Sequence, residues 1–188
     1  MSNPVQKAIM DRRSTRGFDG AALTEAELRN LIDAALASPS AVNRQPWHFT
    51  FVQDKAVLAE FNAAAKEHLL ANATTERRAA IEDPGYEFLM GAPLFVVISS
   101  PKENQGYYPR LDCGIAVENL AISAQGMGLG SVILGMPRDM FENAPMGEVF
   151  KKKMGIPEGN EYMIGIIIGH NTVTKDAHPI GENKYNIV

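Results

Sequence analysis

The chain has 188 residues and a mass of 20.5 kDa, with 45% apolar, 21% charged and 7% aromatic residues, a composition that excludes collagen, coiled coil and wholesale disorder. Lysine and arginine number 18 against 22 acidic residues, a net charge of −4 with no long basic stripe, which argues against nucleic acid as a partner. At this mass one core can bury about 70% of the unfolded surface, so residues 1–188 read as one domain.

The longest apolar stretches, such as residues 94–98, fall far short of the roughly 20 residues a membrane helix needs. The start, MSNPVQKAIMDRRS, lacks the apolar segment of a signal peptide. A single cysteine, Cys113, forms no internal disulfide. The expected address is therefore the cytoplasm, and no membrane partner is expected.

Residues 4–12 predict a short helix with proline in its first turn, followed by an extended turn through Arg12, Arg13, Ser14, Thr15 and Arg16. Thr24 and Glu27 form a capping box, and Leu28, Leu31, Ile32, Ala35 and Leu36 follow at helical spacing. That helix stops at Ser38-Pro39, because a residue before proline is pushed out of the α region. A loop runs to Pro46 and residues 48–53 predict a strand. Residues 55–72 carry Val57, Leu58, Phe61, Ala65 and Leu69 on one helical face, whereas residues 74–91, with no clean period and with Pro84-Gly85, read as a mobile surface excursion.

The run Leu94, Phe95, Val96, Val97, Ile98 suits a strand covered on both faces. Asp112 is expected to cap a helix reaching Gln125, apolar around most of its circumference. Glycines 126, 128 and 130 end it, residues 131–134 predict a strand, and Gly135-Met136-Pro137 breaks that strand. One or two short helices over residues 141–154, a last strand over 162–168, and a polar tail whose residues 185–188 could pair or dock complete the chain. The fold class is α+β, with several helices around one central sheet.

Three places could carry chemistry. In an extended conformation Arg12, Ser14 and Arg16 project to one side, two guanidinium forks and a hydroxyl that suit a phosphate; a solvated basic turn is the competing reading. The loop containing Pro39, Ser40 and Asn43 is either a binding loop on a rigid scaffold or a plain helix-to-strand connection. Gly135, lacking a side chain at the end of a strand, would let a flat ring meet a backbone N–H, or would serve only a turn.

Gly126-x-Gly128-x-Gly130 is not a dinucleotide fingerprint, since it runs from helix to strand rather than from strand to helix. His48, His68, His170, His178 and Cys113 show no metal-ligand spacing, and no nucleophile motif is present. His48 and Cys113 read as structural residues and Trp47 as core. Phosphate-binding and ring-binding parts without a protein nucleophile favour a cofactor that does the chemistry.

Together, Arg12-Arg13-Ser14-x-Arg16-x-Phe18, Ser38-Pro39-Ser40-Ala41-x-Asn43-x-Gln45-Pro46-Trp47, Ala92-Pro93-Leu94, Asp112-x-Gly114-x-Ala116-x-Glu118-Asn119-Leu120, the glycines from 126 to 135 and Gly165-x-x-x-Gly169 resemble the nitroreductase family of flavin enzymes nearly end to end. The resemblance implies an intertwined homodimer with a mostly antiparallel sheet, FMN at the subunit interface, and NADH or NADPH as transient reductant of a flat acceptor such as a nitroaromatic or quinone, in ping-pong fashion. It places Arg12, Ser14 and Arg16 on the FMN phosphate and ribityl chain and Arg13 near the pyrimidine edge. Pro39, Ser40 and Asn43 would come from the partner, and Leu134 and Gly135 would present N–H groups to the ring. Lys175 and His178 stand where many members carry a basic segment completing the phosphate site. Tyr86, Phe88 and Met90 stand where larger members place Asn and Lys. A dehalogenase or flavin-degrading specialisation, or a non-catalytic flavin-binding module, are the alternatives.

Overall fold

The computed structural model describes residues 3–104 and 106–188. Helix α1 (Pro4–Asp11) starts at Asn3, whose side chain accepts from the Val5 N–H at 2.9 Å, with Pro4 in the first turn where its missing N–H costs nothing. Helix α2 (Glu25–Leu36) has the full capping box, the Thr24 N–H donating to Glu27 at 2.7 Å while Thr24 Oγ1 accepts from the Glu27 N–H. Helix α3 (Lys55–Asn72) is capped by Asp54 and leads to α4 (Thr75–Glu82). The remaining helices are α5 (Tyr107–Gly126), α6 (Pro137–Glu142) and α7 (Gly147–Met154).

Strands β1 (His48–Val52), β2 (Leu94–Pro101), β3 (Gly130–Leu134) and β4 (Asn160–Gly169) form one sheet in the order β1-β2-β4-β3, antiparallel throughout. Alternation along the central strands feeds two cores. Phe95 and Val97 of β2 and Ile167 of β4 join Phe61 of α3, Met140 and Phe141 of α6 and Phe150 of α7 on one face. Leu94, Val96, Ile98, Ile166 and Ile168 meet Leu31 and Ala35 of α2 and Ala116, Leu120 and Ala124 of α5 on the other. The expected α+β architecture, with the sheet covered on both faces, is thus present.

Three expectations are corrected. Helix α5 starts at Tyr107, five residues before Asp112, because Pro109 sits in a first turn that needs no N–H acceptor. Asp112, buried, accepts a hydrogen bond from the Ala41 N–H at 3.1 Å instead of capping. The stretch from 74 to 91 is fastened rather than free: Ile81, Phe88 and Leu89 are buried, and the Leu89 N–H donates to Asn62 at 2.7 Å. Its anchors lie on a helix and then on turns, so they show no single period. The first of the two short helices after β3 begins at Pro137 rather than near residue 141.

Among the described residues no helix is long and apolar enough to cross a membrane. The accessible surface is 11211 Å², above the roughly 8,900 Å² expected of a compact monomer of this mass. Residues 171–188 are exposed throughout, and Val5, Ile9 and Met10 of α1 lie exposed beside Leu111 and Ile115 of the adjoining α5. Such surface is what a second chain would cover.

Candidate functional site

The site is built on the free edge of β3. Beyond α1 the chain turns extended, Arg12 taking φ −57° and ψ 131°, and Ser14 pairs in parallel with Ser131. The Thr15 N–H donates to the Ser131 carbonyl at 2.8 Å, and Thr15 is buried. Alternation then turns Ser14 and Arg16 away from Thr15. Arg12 reaches Glu118 of α5 at 3.4 Å, while Arg16 bonds only the Ser14 carbonyl, at 3.3 Å, and makes no ion pair among the described residues. Arg13 donates to the carbonyls of Met10 and Arg12, both at 2.7 Å, but its buried Nε has no partner. The open Arg16 guanidinium and the orphaned buried Arg13 donor fit an anionic, hydrogen-bonding ligand better than a solvated turn.

The same edge carries Gly135. In a strand, main-chain groups of successive residues point to opposite edges. Since the Ser131 carbonyl faces Thr15, residues 131, 133 and 135 turn their main-chain groups to the Arg12–Arg16 side. Leu134 faces β4, opposite Gly165, and its carbonyl accepts from the buried Tyr162 hydroxyl at 2.6 Å. Leu134 therefore offers the edge its peptide plane, and the outward donor is the Gly135 N–H. A Cβ at Gly135 would meet nothing within 4 Å, so the space over the face of that peptide is open.

The loop from Pro39 to Gln45 is held to α5 by Ala41 on Asp112 and by Asn119, which donates to Ser38 at 3.0 Å. Inside it the Gln45 N–H donates to Ser40 at 2.8 Å, and the Gln45 side chain donates to Asn43 at 2.8 Å. Val42, Asn43 and Gln45 take φ of 47°, 54° and 48°, a left-handed backbone that costs about 1–3 kcal/mol per residue and clusters at functional sites. Pro39 is exposed and Val42 is 85% exposed. No hydrogen bond, ion pair or cleft among the described residues joins this loop to the Arg12–Arg16 segment within the chain. Asp112 and Glu118, their respective anchors, lie about 9 Å apart along α5.

Asp112, Glu118 and Asn119 thus organise both halves of the site, and reading Asp112 as a cap hid this. The available signal was that Asp112, Glu118 and Asn119 interrupt the apolar run of this helix from Cys113 to Ile122 or border it. A cleft of about 390 Å³ is lined by Arg16, Gly17, Phe18, Tyr86, Glu87 and Met90, which brings the 74–91 stretch to the cationic edge. Phe88, by contrast, points into the core. The tail crosses Gly17, the Thr172 N–H donating to its carbonyl at 3.0 Å. Lys175 and His178 lie further along this exposed tail, and among the described residues no hydrogen bond or ion pair ties either to the Arg12–Arg16 segment.

Burial, then the neighbouring Asp112 charge, pushes the Cys113 thiol up to about 12, leaving no thiolate at neutral pH. Trp47 packs on Phe49 with ring centroids 5.0 Å apart. No cluster of metal-ligating side chains occurs among the described residues.

The Nitroreductase family model matches residues 9–170 of this chain. A protein of Archaeoglobus fulgidus named "Putative NADH dehydrogenase/NAD(P)H nitroreductase" is 30% identical over 184 residues, covering 96% of this chain and 92% of its own. The NADPH-flavin oxidoreductase of Vibrio harveyi is 26% identical, covering 98% of this chain and 75% of its own. Among solved structures, a nitroreductase with bound FMN from Desulfitobacterium hafniense superposes over all of both chains with a TM-score of 0.91 and 28% identity.

Proposed function

The chain belongs to the nitroreductase family, and from that premise we propose that it is an FMN-dependent oxidoreductase that uses NADH or NADPH to reduce nitroaromatic, quinone or similar flat acceptors. The observation that carries the reading is the outer edge of β3, along which lie Arg16, without an ion pair among the described residues, the orphaned Arg13 Nε and the outward Gly135 N–H. Bound FMN supplies the redox chemistry, accepting electrons from the nicotinamide and passing them to the acceptor in alternating half-reactions.

The residues of this chain bind and orient. Arg12, Ser14 and Arg16 hold the phosphate and ribityl chain by charge-assisted bonds, and Arg13 faces the pyrimidine edge. The Gly135 N–H, on the peptide it shares with Leu134, donates to the ring where negative charge gathers. Lys175 or His178, in the exposed tail, completes the phosphate site. Pro39, Ser40 and Asn43 line the ring of a second copy: their loop is strained, and no hydrogen bond or ion pair among the described residues ties it to its own chain's cationic edge. The exposed apolar residues of α1 and α5 and the uncovered tail support the homodimer, with residues 1–188 acting as one domain in each subunit. The lone buried cysteine fits the cytoplasm.

Anaerobic titration of FMN-loaded protein with NADPH tests the reading. Bleaching of the flavin, followed by reoxidation with a nitrobenzoate or a benzoquinone, is expected. Flavin that binds but is not reduced at a useful rate would instead mark a binding module. Turnover confined to halogenated phenols would mark a dehalogenase.

A further inference from the structure

Tyr162 lies at the start of β4, 1% exposed, with its ring stacked on Phe141 at 5.3 Å between centroids. Its hydroxyl donates to the Leu134 carbonyl at 2.6 Å. Burial pushes the phenol well above its ordinary value, so it stays a neutral donor. The Leu134 carbonyl already faces β4 within the Leu134–Gly165 pair, so sheet pairing alone does not call for a second donor. Room for that donor is made deliberately. A Cβ on Gly165 would stand 2.6 Å from the Tyr162 hydroxyl and 2.8 Å from the Phe95 ring, and glycine inside a strand costs about 0.5–1 kcal/mol relative to alanine.

The peptide between Leu134 and Gly135 is trans and planar, so its C=O and N–H point in opposite directions. Whatever draws the Leu134 oxygen toward β4 drives the Gly135 hydrogen toward the open edge. A hydrogen bond to the carbonyl also polarises the peptide and strengthens its N–H as a donor. On the far side the next peptide is fixed as well, the Arg138 N–H donating to the Gly135 carbonyl at 3.1 Å.

We infer that Tyr162 is a positioning residue for the site: by holding the Leu134 carbonyl inward, its hydroxyl aims and polarises the Gly135 N–H toward bound FMN, and so favours the electron-rich state of the cofactor. The inference rests on the flavin reading above. Gly165 belongs to the same device, since its missing side chain admits the hydroxyl. A donor fixed before the charge arrives stabilises that charge without reorganisation, so the effect falls on reduced FMN more than on oxidised FMN.

The test compares wild type, Tyr162→Phe and Gly165→Ala as FMN-loaded proteins, measuring the affinity for oxidised FMN by fluorescence and the two-electron potential of bound against free FMN. For Tyr162→Phe we expect affinity for reduced FMN to fall about tenfold more than affinity for oxidised FMN, a potential about 30 mV more negative. Gly165→Ala keeps the phenol but displaces it, and should shift the potential in the same direction. A lower melting temperature with an unchanged potential in both variants would reduce Tyr162 to a packing residue and overturn the inference. Wild type that takes up no FMN would overturn the flavin reading, and with it the premise. A wild type that loads normally while Tyr162→Phe keeps its potential would overturn the role of Tyr162 alone.

Discussion

Lys151 and Arg16 each carry a cation beside the central sheet, and the chain treats them in opposite ways. Lys151 on α7 is 5% exposed and bonds both Glu142 and Glu148 at 3.0 Å, with Glu142 in turn accepting from the Tyr162 N–H at 3.0 Å. Burial pulls the Lys151 pKa down, but those two carboxylates more than offset it and leave it raised. Arg16 is exposed at the β3 edge and meets no carboxylate among the described residues, and the adjacent Arg13 has a buried nitrogen with no partner. A cation satisfied from within holds the fold together. Cations left open beside a free N–H are available to a ligand, so the two regions should respond to substitution on different axes.

The largest contrast is expected from Arg12→Ala combined with Arg16→Ala. Losing two charge-assisted contacts, each about 1.5–3 kcal/mol, should weaken FMN binding at least a hundredfold by fluorescence titration. Stability should barely move, since the half-buried, solvent-screened Arg12–Glu118 pair is worth at most about 1 kcal/mol. Full retention of flavin with a large loss of stability would erase the distinction between the regions. Lys151→Met should do the reverse, costing about 3 kcal/mol in a denaturant titration because Glu142 is left without its buried partner, with FMN affinity within about threefold of wild type.

Gly135→Val sharpens the picture of the open edge. Its side chain would enter empty space over the face of the peptide, where the ring is proposed to lie, so FMN affinity should fall about tenfold while the melting temperature stays within a few degrees. The smallest effect is on pH. Burial pushes the Glu142 pKa up, but the Tyr162 N–H and Lys151 outweigh it, so the folded value lies below the ordinary 4.5. Its stabilisation is present above the unfolded value and is lost as pH falls through the folded one. Lys151, raised above 10.5, stabilises below that value and loses its contribution as pH climbs through the folded one. Stability should therefore fall on the acid side as Glu142 is protonated. On the alkaline side Lys151→Met should make the decline shallower, the part that remains coming from the buried Cys113 thiol and Tyr162 phenol, which ionise more readily in the unfolded chain.

The two regions also differed in how legible they were in the sequence. The capping box at Thr24, the buried run from Leu94 and the helix over residues 55–72 are local patterns, and all three stand in the structure. The cationic segment was visible because three arginines in five residues are visible anywhere. What joins it to Gly135 was not: the Thr15–Ser131 bond spans 116 residues of chain, and strand parity becomes readable only once that bond is known. Asp112, Glu118 and Asn119 were obscured for the same reason, since their partners Ala41, Arg12 and Ser38 lie far away in sequence. The Lys151 network escaped notice because a lysine in Lys151-Lys152-Lys153 looks like a solvated face until packing buries one of the three.

The spectrum of the purified protein tests the central claim most directly. If the β3 edge is a flavin site, protein reconstituted with FMN and desalted should keep absorbance bands near about 450 and 375 nm that bleach when NADPH or NADH is added without oxygen. A folded protein that remains colourless after reconstitution would contradict the account.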